Sequence, residues 1–287
     1  MIRCESDVKK IGGTEYDEYT KEKYVMKTQP YVEAPFYVLT PKNNKNDRAV
    51  IALHGHGSDG KSMIAGEEPE ELKNSARFNY TYGIEMMKRG YTVFILDLCA
   101  SGERREKKTD ITKSSCNDIN NAAMSLGFSL QGLIVWDLLR LIDYIEENYK
   151  PKGMDCIGFS GGGLSSLWIS ALDERIENTI VSGYYHGIKD TILYNNSCGC
   201  NFIPNLWEMI DICDLGIMIA PRKLAVEVGK NDDLNGERGI VSFYEQVKET
   251  KKVYEMYNCG DNFREFVGEG KHQWYGLAYD YIIPSGK

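Results

Sequence analysis

The chain has 287 residues, 42% of them hydrophobic, and a formal net charge of −8 at pH 7. This acidic balance argues against a nucleic-acid partner, because phosphate binding relies on clusters of lysine and arginine. No apolar run approaches the roughly 18 residues of a membrane-spanning helix, and no signal-type segment follows Met1. We therefore expect a cytoplasmic protein with no nucleic-acid or membrane partner; the alternative is a protein whose export signal has been removed.

The first 40 residues differ in pattern from the rest of the chain. Residues 14–27 and 31–39 are predicted to be strands joined around Gln29-Pro30, which indicates an antiparallel edge. From about residue 49 to residue 257, strand and helix patterns alternate, as in a mostly parallel sheet flanked by helices. Because no linker, internal repeat or low-complexity run interrupts the chain, we expect residues 1–287 to form one α/β domain.

A glycine-rich turn, His-Gly-His-Gly at residues 54–57, closes the predicted strand 48–53. A chain that turns tightly here can leave a backbone N–H free of strand pairing and directed at a developing oxyanion. Our candidate for that donor is the N–H of His56. The alternative is a plain turn that carries two packed imidazoles.

A long, polar, serine-rich segment, residues 100–131, follows the predicted strand 91–97. Loops at the carboxyl ends of parallel strands form the pocket in such sheets. Arg104 lies in this loop, so its guanidinium is a candidate for pairing with a substrate carboxylate or sugar hydroxyls. The alternatives are a structural ion pair with Glu103 or Glu106, or simple solvation.

The sequence Gly-Phe-Ser-Gly-Gly at residues 158–162 carries the strongest chemical signal. Residues 154–157 are predicted to be a short buried strand, and residues 164–172 a helix. A serine on a sharp turn between strand and helix is exposed above the sheet, where a base can reach its Oγ. Ser160 is therefore the predicted nucleophile, and the N–H of Gly161 is the predicted second oxyanion donor.

The nucleophile needs a base and an acid, which follow it in the order Ser, Asp/Glu, His in the fold that uses this turn. His54 and His56 precede the serine, so we favour His272, with His186 as the alternative base. The acid should follow the predicted strand 223–229. There we favour Asp232 over its neighbour Asp233, because two adjacent side chains cannot both point at one imidazole.

Residues 177–185 are predicted to be a strand, and residues 186–220 after it form a second inserted segment, which we interpret as a possible cap or pocket wall. Tyr185, His186, Phe202 and Trp207 are the predicted substrate contacts. The apolar stretch 215–219 is equally consistent with a helix packed on the sheet.

Eight cysteines occur, and the default interpretation is that they are reduced and mostly buried. Cys198 and Cys200 are separated by a single residue, and no second pair accompanies them, so the spacing predicts no metal site. No organic cofactor is expected either.

The chain resembles the α/β-hydrolase superfamily, and more closely the bacterial esterases related to acetyl xylan esterases and dienelactone hydrolases. The likeness covers about residues 30–275 and rests on the serine turn, the order of the three catalytic residues and several further stretches. These stretches are residues 35–41, 54–57, 89–97, 102–104, 136–144, 197–204 and 219–222. The chain departs from the family at Asp233, where relatives commonly have proline, and in residues 98–102 and 184–187.

The resemblance implies a serine hydrolase that cleaves a small-molecule ester, with a small acyl or carbohydrate group, through an acyl-enzyme intermediate. The catalytic residues would be Ser160, Asp232 and His272, with His56 and Gly161 forming the oxyanion hole. Two alternatives remain: a peptidase or amidase that uses the same residues, and a non-catalytic member of the fold that binds a ligand.

Overall fold

The computed structural model describes residues 1–43, 45–56, 59–66, 80–109 and 113–282. Within them, nine strands form one sheet in the order β1-β2-β3-β5-β4-β6-β7-β8-β9. The strands are β1 (Lys9–Glu15), β2 (Tyr19–Gln29), β3 (Val32–Pro41), β4 (Ala49–Leu53), β5 (Thr92–Leu96), β6 (Met154–Phe159), β7 (Ile176–Ser182), β8 (Lys223–Gly229) and β9 (Phe263–Gly268).

Helices cover both faces of this sheet. They are α1 (Lys61–Ile64), α2 (Tyr82–Lys88), α3 (Cys116–Ser125), α4 (Leu130–Tyr149), α5 (Gly161–Leu172), α6 (Ile212–Ile219), α7 (Val241–Met256) and α8 (Tyr279–Ile282). In the described part of the chain no single helix is long and apolar enough to cross a membrane. The helices α3 and α4 meet that criterion only when taken together, as a pair bent by 96°.

The sheet is mixed, as the sequence predicts. Strands β1, β2, β3 and β5 pair antiparallel in succession, whereas β5, β4, β6, β7, β8 and β9 run parallel. The outer strand β1 is exposed along its whole length. Its lysines and the irregular register between Lys10 and Gly12 are features that discourage further strand pairing at an edge. The predicted fold class, a mostly parallel sheet with antiparallel N-terminal strands, is confirmed.

Side chains alternate between the two faces of the central strands and so build separate apolar layers. Ile51 and Phe94 pack in the layer that contains α4, whereas Val50, Val93 and Ile95 pack in the layer that contains α2. This alternation is the two-residue period of a strand that is buried on both faces. Because the inner strands are parallel, the loops that follow β4, β6, β7 and β8 all emerge at the same edge of the sheet.

Two boundaries differ from the prediction in ways that matter for the site. The strand predicted at 154–157 continues to Phe159, and the helix begins directly at Gly161, so the turn is shorter than expected. The strand predicted at 177–185 ends at Ser182, because Gly183 turns the chain with φ +63°. The sequence analysis did not predict β9, a short strand with adjacent arginine and glutamate residues at the far edge of the sheet.

Candidate active site

Ser160 occupies a strained turn between β6 and α5. Its φ of 55° and ψ of −121° lie in a region that L-residues rarely adopt, and such strain clusters at functional sites. The turn is possible because Gly158 and Gly162 lack side chains. A Cβ on Gly158 would lie 2.2 Å from the carbonyl oxygen of Gly162, and one on Gly162 would lie 2.0 Å from the carbonyl oxygen of Leu53. The two outer glycines of the motif therefore permit the close packing that this turn requires.

The structure brings His272 and Asp232 together. Nδ1 of His272 lies 2.6 Å from Oδ2 of Asp232, whose side chain is buried. The other carboxylate oxygen, Oδ1, accepts a hydrogen bond of 2.9 Å from the backbone N–H of Leu234. An Nδ1–H that donates to this carboxylate leaves Nε2 of His272 as the proton acceptor. Asp233, the alternative acid, instead points to solvent, with its side chain 85% exposed beside Lys271.

His272 is adjacent to the serine turn. Its ring packs on that of Phe159, the residue before the nucleophile, with ring centroids 4.5 Å apart. A Cβ on Gly183 would lie 3.1 Å from Cε1 of His272, and the carbonyl of Ser182, the residue before that glycine, accepts the N–H of Ser160. These contacts place the imidazole of His272 against the residues that flank Ser160.

A buried carboxylate, Glu227, holds the loop that follows His272. The Glu227 oxygens accept hydrogen bonds from the backbone N–H groups of Tyr275, Gly276 and Leu277 at 3.0–3.2 Å. The hydroxyl of Ser182 donates to the same carboxylate at 2.7 Å. Burial raises the pKa of Glu227, although these donors oppose the shift. Glu227 is therefore a positioning residue for the loop that carries the base.

Two backbone N–H groups beside Ser160 have no acceptor among the described residues. Gly161 is the first residue of α5, where the N–H has no acceptor within the helix. Its Cα is covered by the imidazole of His56, since a Cβ there would lie 2.6 Å from Cε1 of that ring. Across the described residues, neither Gly161 nor His56 has a hydrogen-bond acceptor for its backbone N–H. Both can therefore donate to an oxygen bound at the serine, whereas Gly57 of the same turn lies outside the described residues.

The turn that carries His56 is fixed by the neighbouring histidine. Nε2 of the buried His54 accepts the N–H of Leu98 at 3.0 Å, so its Nδ1 carries the proton that the carbonyl of Gly55 accepts at 2.8 Å. Burial lowers the pKa of His54, which favours this neutral form. This histidine therefore links the end of β4 to the end of β5.

Ser160 lines a cavity of about 200 Å³. His186, a predicted substrate contact, lies in its wall: the side chain is only 3% exposed, and neither ring nitrogen has a partner among the described residues. Burial lowers the pKa of His186 to about 4, so the ring is neutral at neutral pH. The segment 186–220 supplies most of the remaining wall, through Thr191, Ile192, Asn195, Ser197, Cys198 and Asn201.

The other three aromatic contacts predicted for the substrate lie elsewhere. Tyr185 is fully buried in the layer beneath α6 and α7, and its hydroxyl is hydrogen-bonded to Thr250 at 2.6 Å. Phe202 and Trp207 pack against the same layer, and the Trp207 indole donates to the carbonyl of Asn201. Consecutive residues point in different directions, so His186 reaches the cavity whereas Tyr185 does not. The prediction that Tyr185 contacts substrate is therefore wrong, because its side chain is fully buried; Phe202 and Trp207 are partly buried and do not line the cavity beside Ser160, and their contact with substrate stays a prediction.

The prediction for Arg104 is also corrected. Its guanidinium is buried, pairs with Asp137 at 2.6 Å and donates to the carbonyl of Asp97 at 3.2 Å. The ion pair thus joins the loop after β5 to α4, and its partner is neither of the glutamates considered from the sequence. Asp97 is structural, since it accepts from both the Nζ and the backbone N–H of Lys61 at 2.7 Å.

One group of side chains could hold a metal, contrary to the sequence-based prediction. The imidazole of His56 and the thiols of Cys116, Cys198 and Cys200 offer four ligand atoms that all lie within 4.8 Å of one another. They come from three segments that are distant in sequence, so no local spacing rule could have found them. The serine, histidine and aspartate need no metal for acyl transfer, because they can supply a nucleophile, a base and an orienting charge.

Comparison with known proteins agrees with this geometry. The model of the Abhydrolase family (Abhydrolase_7) matches residues 6–259. The "Putative hydrolase YtaP" of Bacillus subtilis strain 168 is 26% identical over 259 residues, which are 87% of this chain and 81% of that protein.

Solved structures show the same fold at low sequence identity. A "putative acetyl xylan esterase" from Bacteroides fragilis NCTC 9343 aligns with a TM-score of 0.77 and 17% identity, over 93% of this chain and 71% of the other. A glucuronoyl esterase from Solibacter usitatus aligns with a TM-score of 0.72 and 12% identity, over 99% and 86%. The family model matches most of this chain, and the mixed sheet and the strained serine turn agree with that match. The chain therefore belongs to the Abhydrolase family of α/β-hydrolases.

Proposed function

We propose that the protein is a serine esterase that hydrolyses a carboxylic ester of a small acyl group or a carbohydrate. The observation that carries the proposal is the strained turn of Ser160 next to the buried Asp232–His272 pair, with two backbone N–H groups alongside that the described residues leave unpaired. Nucleophile, base, orienting acid and oxyanion donors are the full set of groups for acyl transfer.

The mechanism follows from the direction of each hydrogen bond. Nε2 of His272 takes the proton of Ser160 as Oγ bonds to the ester carbonyl carbon, and the N–H groups of Gly161 and His56 stabilise the oxyanion. Asp232 fixes the tautomer and stabilises the imidazolium. His272 then protonates the departing alcohol, leaving an acyl-serine. A water molecule, deprotonated by His272, attacks that acyl group, and release of the acid restores Ser160.

The cavity beside Ser160 supports a small or polar substrate. Its volume of about 200 Å³ is below the range of roughly 300–1,000 Å³ typical of sites for drug-sized ligands. Tyr184, His186, Asn195 and Asn201 line it, whereas none of its described lining residues is a lysine or arginine. Such a wall suits a short acyl group or sugar hydroxyls better than a long acyl chain or an anionic acid. The names of the two structural relatives, an acetyl xylan esterase and a glucuronoyl esterase, support a carbohydrate ester.

His186 has a specific place in this proposal. Its neutral ring has one N–H donor and one acceptor nitrogen, and neither has a partner in the part of the chain that the structure describes. A buried polar group without a partner is costly, so a substrate hydroxyl or carbonyl that pairs with it gains binding energy. We expect His186→Phe to raise KM for acetylated sugars more than for nitrophenyl acetate.

Labelling with a fluorophosphonate probe tests the proposal directly. Peptide mapping should place the label on Ser160, and a panel of acetyl, longer-acyl, aryl and sugar esters should show turnover that falls with acyl length. Matched amides test the peptidase alternative, which requires amide turnover to exceed ester turnover. Absence of both labelling and ester turnover, with the protein folded, would identify a non-catalytic member of the fold.

A further inference from the structure

The cluster of His56, Cys116, Cys198 and Cys200 lies where three loops meet. His56 belongs to the turn after β4, Cys116 begins α3 in the first inserted segment, and Cys198 and Cys200 lie in the second. Nε2 of His56 is 2.7 Å from Sγ of Cys200, and all four ligand atoms lie within 4.8 Å of one another. In tetrahedral zinc sites, with Zn–S of about 2.3 Å and Zn–N of about 2.0 Å, ligand atoms lie roughly 3.5–3.8 Å apart. A single ion can therefore reach all four atoms with small side-chain adjustments.

From this juxtaposition we propose that the protein binds one structural zinc ion through Nε2 of His56 and the thiolates of Cys116, Cys198 and Cys200. Three sulfurs and one imidazole nitrogen are ligands that zinc prefers, and four protein ligands complete its tetrahedral shell. A shell closed in this way leaves no open position for water or substrate, so the ion would organise the fold and take no part in the chemistry.

The backbone around the cluster is already arranged for binding. The side-chain oxygen of Asn117, next to Cys116, accepts the N–H of Gly199 at 2.7 Å, which ties the start of α3 to the turn between the two cysteines. Asn201 donates to the carbonyl of Cys198 at 2.7 Å and lies 3.7 Å from the sulfur of Cys200. Hydrogen bonds of this kind orient metal ligands and stabilise thiolate charge. They also hold the four ligand atoms close together before an ion arrives.

Buried thiols without a metal are the competing interpretation, and a disulfide is another. All eight cysteines are free in the structure, and five of them, Cys4, Cys99, Cys156, Cys213 and Cys259, have no part in the cluster. A general tendency of thiols to be buried would not place three of them around one imidazole nitrogen. The convergence of four ligand atoms, one imidazole nitrogen and three sulfurs, on one point is the feature that the zinc proposal explains.

The site connects to the serine through His56. The ring of His56 covers Gly161, and the preceding residue, Gly55, packs against the serine, since a Cβ there would lie 3.2 Å from Cβ of Ser160. Zinc would bind the His56 ring together with cysteines of both inserted segments, and the second of these segments forms much of the cavity wall. Metal binding would thus fix the relative positions of the turn and the wall, independently of whether the protein is an esterase.

Metal content is the primary test. We would purify the full chain under reducing conditions without a metal-affinity step and measure metals by plasma mass spectrometry. The expected result is one zinc ion per chain, retained in Ser160→Ala and in Cys259→Ser, a matched control outside the cluster. In Cys198→Ser and Cys116→Ser the zinc should be lost. Ser160→Ala removes the proposed nucleophile and leaves the zinc ligands in place. Failure of the esterase proposal would therefore change the turnover results and not the zinc content, whereas failure of the zinc proposal would appear in the zinc content alone.

Cobalt substitution identifies the ligands without relying on variants that fold poorly. Replacement of zinc by Co²⁺ in the wild-type protein should produce the visible bands of a tetrahedral site together with strong thiolate-to-cobalt charge transfer in the near ultraviolet. The proposal is overturned if the reduced wild-type protein contains no zinc and takes up none, if the cobalt protein lacks thiolate charge transfer, or if mass spectrometry of the native protein shows a disulfide within the cluster.

Discussion

Replacing Asp232 by asparagine tests the arrangement of the site most sharply, because the structure states what each oxygen of that side chain does. Oδ1 accepts the backbone N–H of Leu234 and Oδ2 faces Nδ1 of His272. In Asp232→Asn the amide oxygen is held by Leu234, so the NH₂ group turns towards His272. A donor in that position requires Nδ1 to be the acceptor, which moves the ring proton to Nε2. The base then presents a proton where it must accept one.

The magnitude follows from this wrong tautomer. A triad whose histidine is held in the wrong tautomer loses roughly 10⁴-fold in kcat, which corresponds to about 5 kcal/mol of transition-state stabilisation. Asp233→Asn is the matched control, since it changes the adjacent carboxylate. That side chain is 85% exposed and 3.7 Å from Lys271, and exposed ion pairs contribute only about 0–1 kcal/mol. We expect its kcat to stay within a few-fold of wild type.

The assay is hydrolysis of nitrophenyl acetate by both variants and wild type, with circular dichroism and a urea titration to confirm folding. Substrate affinity should change little in Asp232→Asn, because Asp232 acts through His272. Equal, modest losses in the two asparagine variants would refute the reasoning and assign the orienting role to another group. Near-wild-type kcat in Asp232→Asn would refute it in the same way.

Three further predictions concern other parts of the molecule. Ser160→Ala and His272→Ala should each reduce ester turnover by about 10³-fold or more. The double variant should have little less turnover than either single variant, because the two residues act as a unit. Additive losses of turnover would contradict this coupling. Arg104→Ala should lower the free energy of unfolding in urea by about 3–5 kcal/mol, because it leaves the buried Asp137 carboxylate unpaired. The ratio of KM for sugar esters to KM for neutral esters should not change. A rise in KM for only one of these classes would show that Arg104 binds substrate after all. The pKa of His186 is lowered to about 4, against about 6.5 in an unfolded chain, so the unfolded state binds the extra proton between those values. The contribution of neutral His186 to the free energy of unfolding should therefore be complete above pH 6.5, and the free energy of unfolding should fall by about 3 kcal/mol as the pH drops to 4. Urea titrations of His186→Gln should show a smaller fall. If the pH dependence is the same in this variant, His186 is not buried in the neutral form.

Local sequence patterns predicted much of the central scaffold. Residues 223–229 were assigned as a strand with the bounds of β8, because a run of buried apolar residues between turn residues has few alternatives. The serine turn was recognisable for a similar reason: Gly158 and Gly162 are needed within four residues of one another, and their constraint is steric. Asp232 and His272 could be named from chain order, but their contact across 40 residues is visible only in the folded protein.

Local sequence patterns did not predict side-chain contacts between segments that are distant in the chain. Tyr185 and His186 are adjacent, and nothing in their order shows which one faces the cavity and which one the core. Arg104 had two acidic neighbours in sequence, yet its partner is Asp137 on α4. Burial decided that pairing, because a guanidinium buried beside a helix needs a carboxylate at that depth, whereas its sequence neighbours lie nearer to solvent.

The sequence by itself determined the features that depend on steric rules over a few residues: the alternation of strands and helices in the parallel part of the sheet, and the strained serine turn with its glycines. The tertiary structure alone decided which side chains meet. It placed Glu227 under the histidine loop, turned His186 towards the serine and brought Cys116 and His56 to the Cys198–Cys200 turn. The physical reason is that ion pairs, hydrogen bonds and metal ligands act through space over a few ångströms, and the chain distances between their members follow no period that a sequence can display.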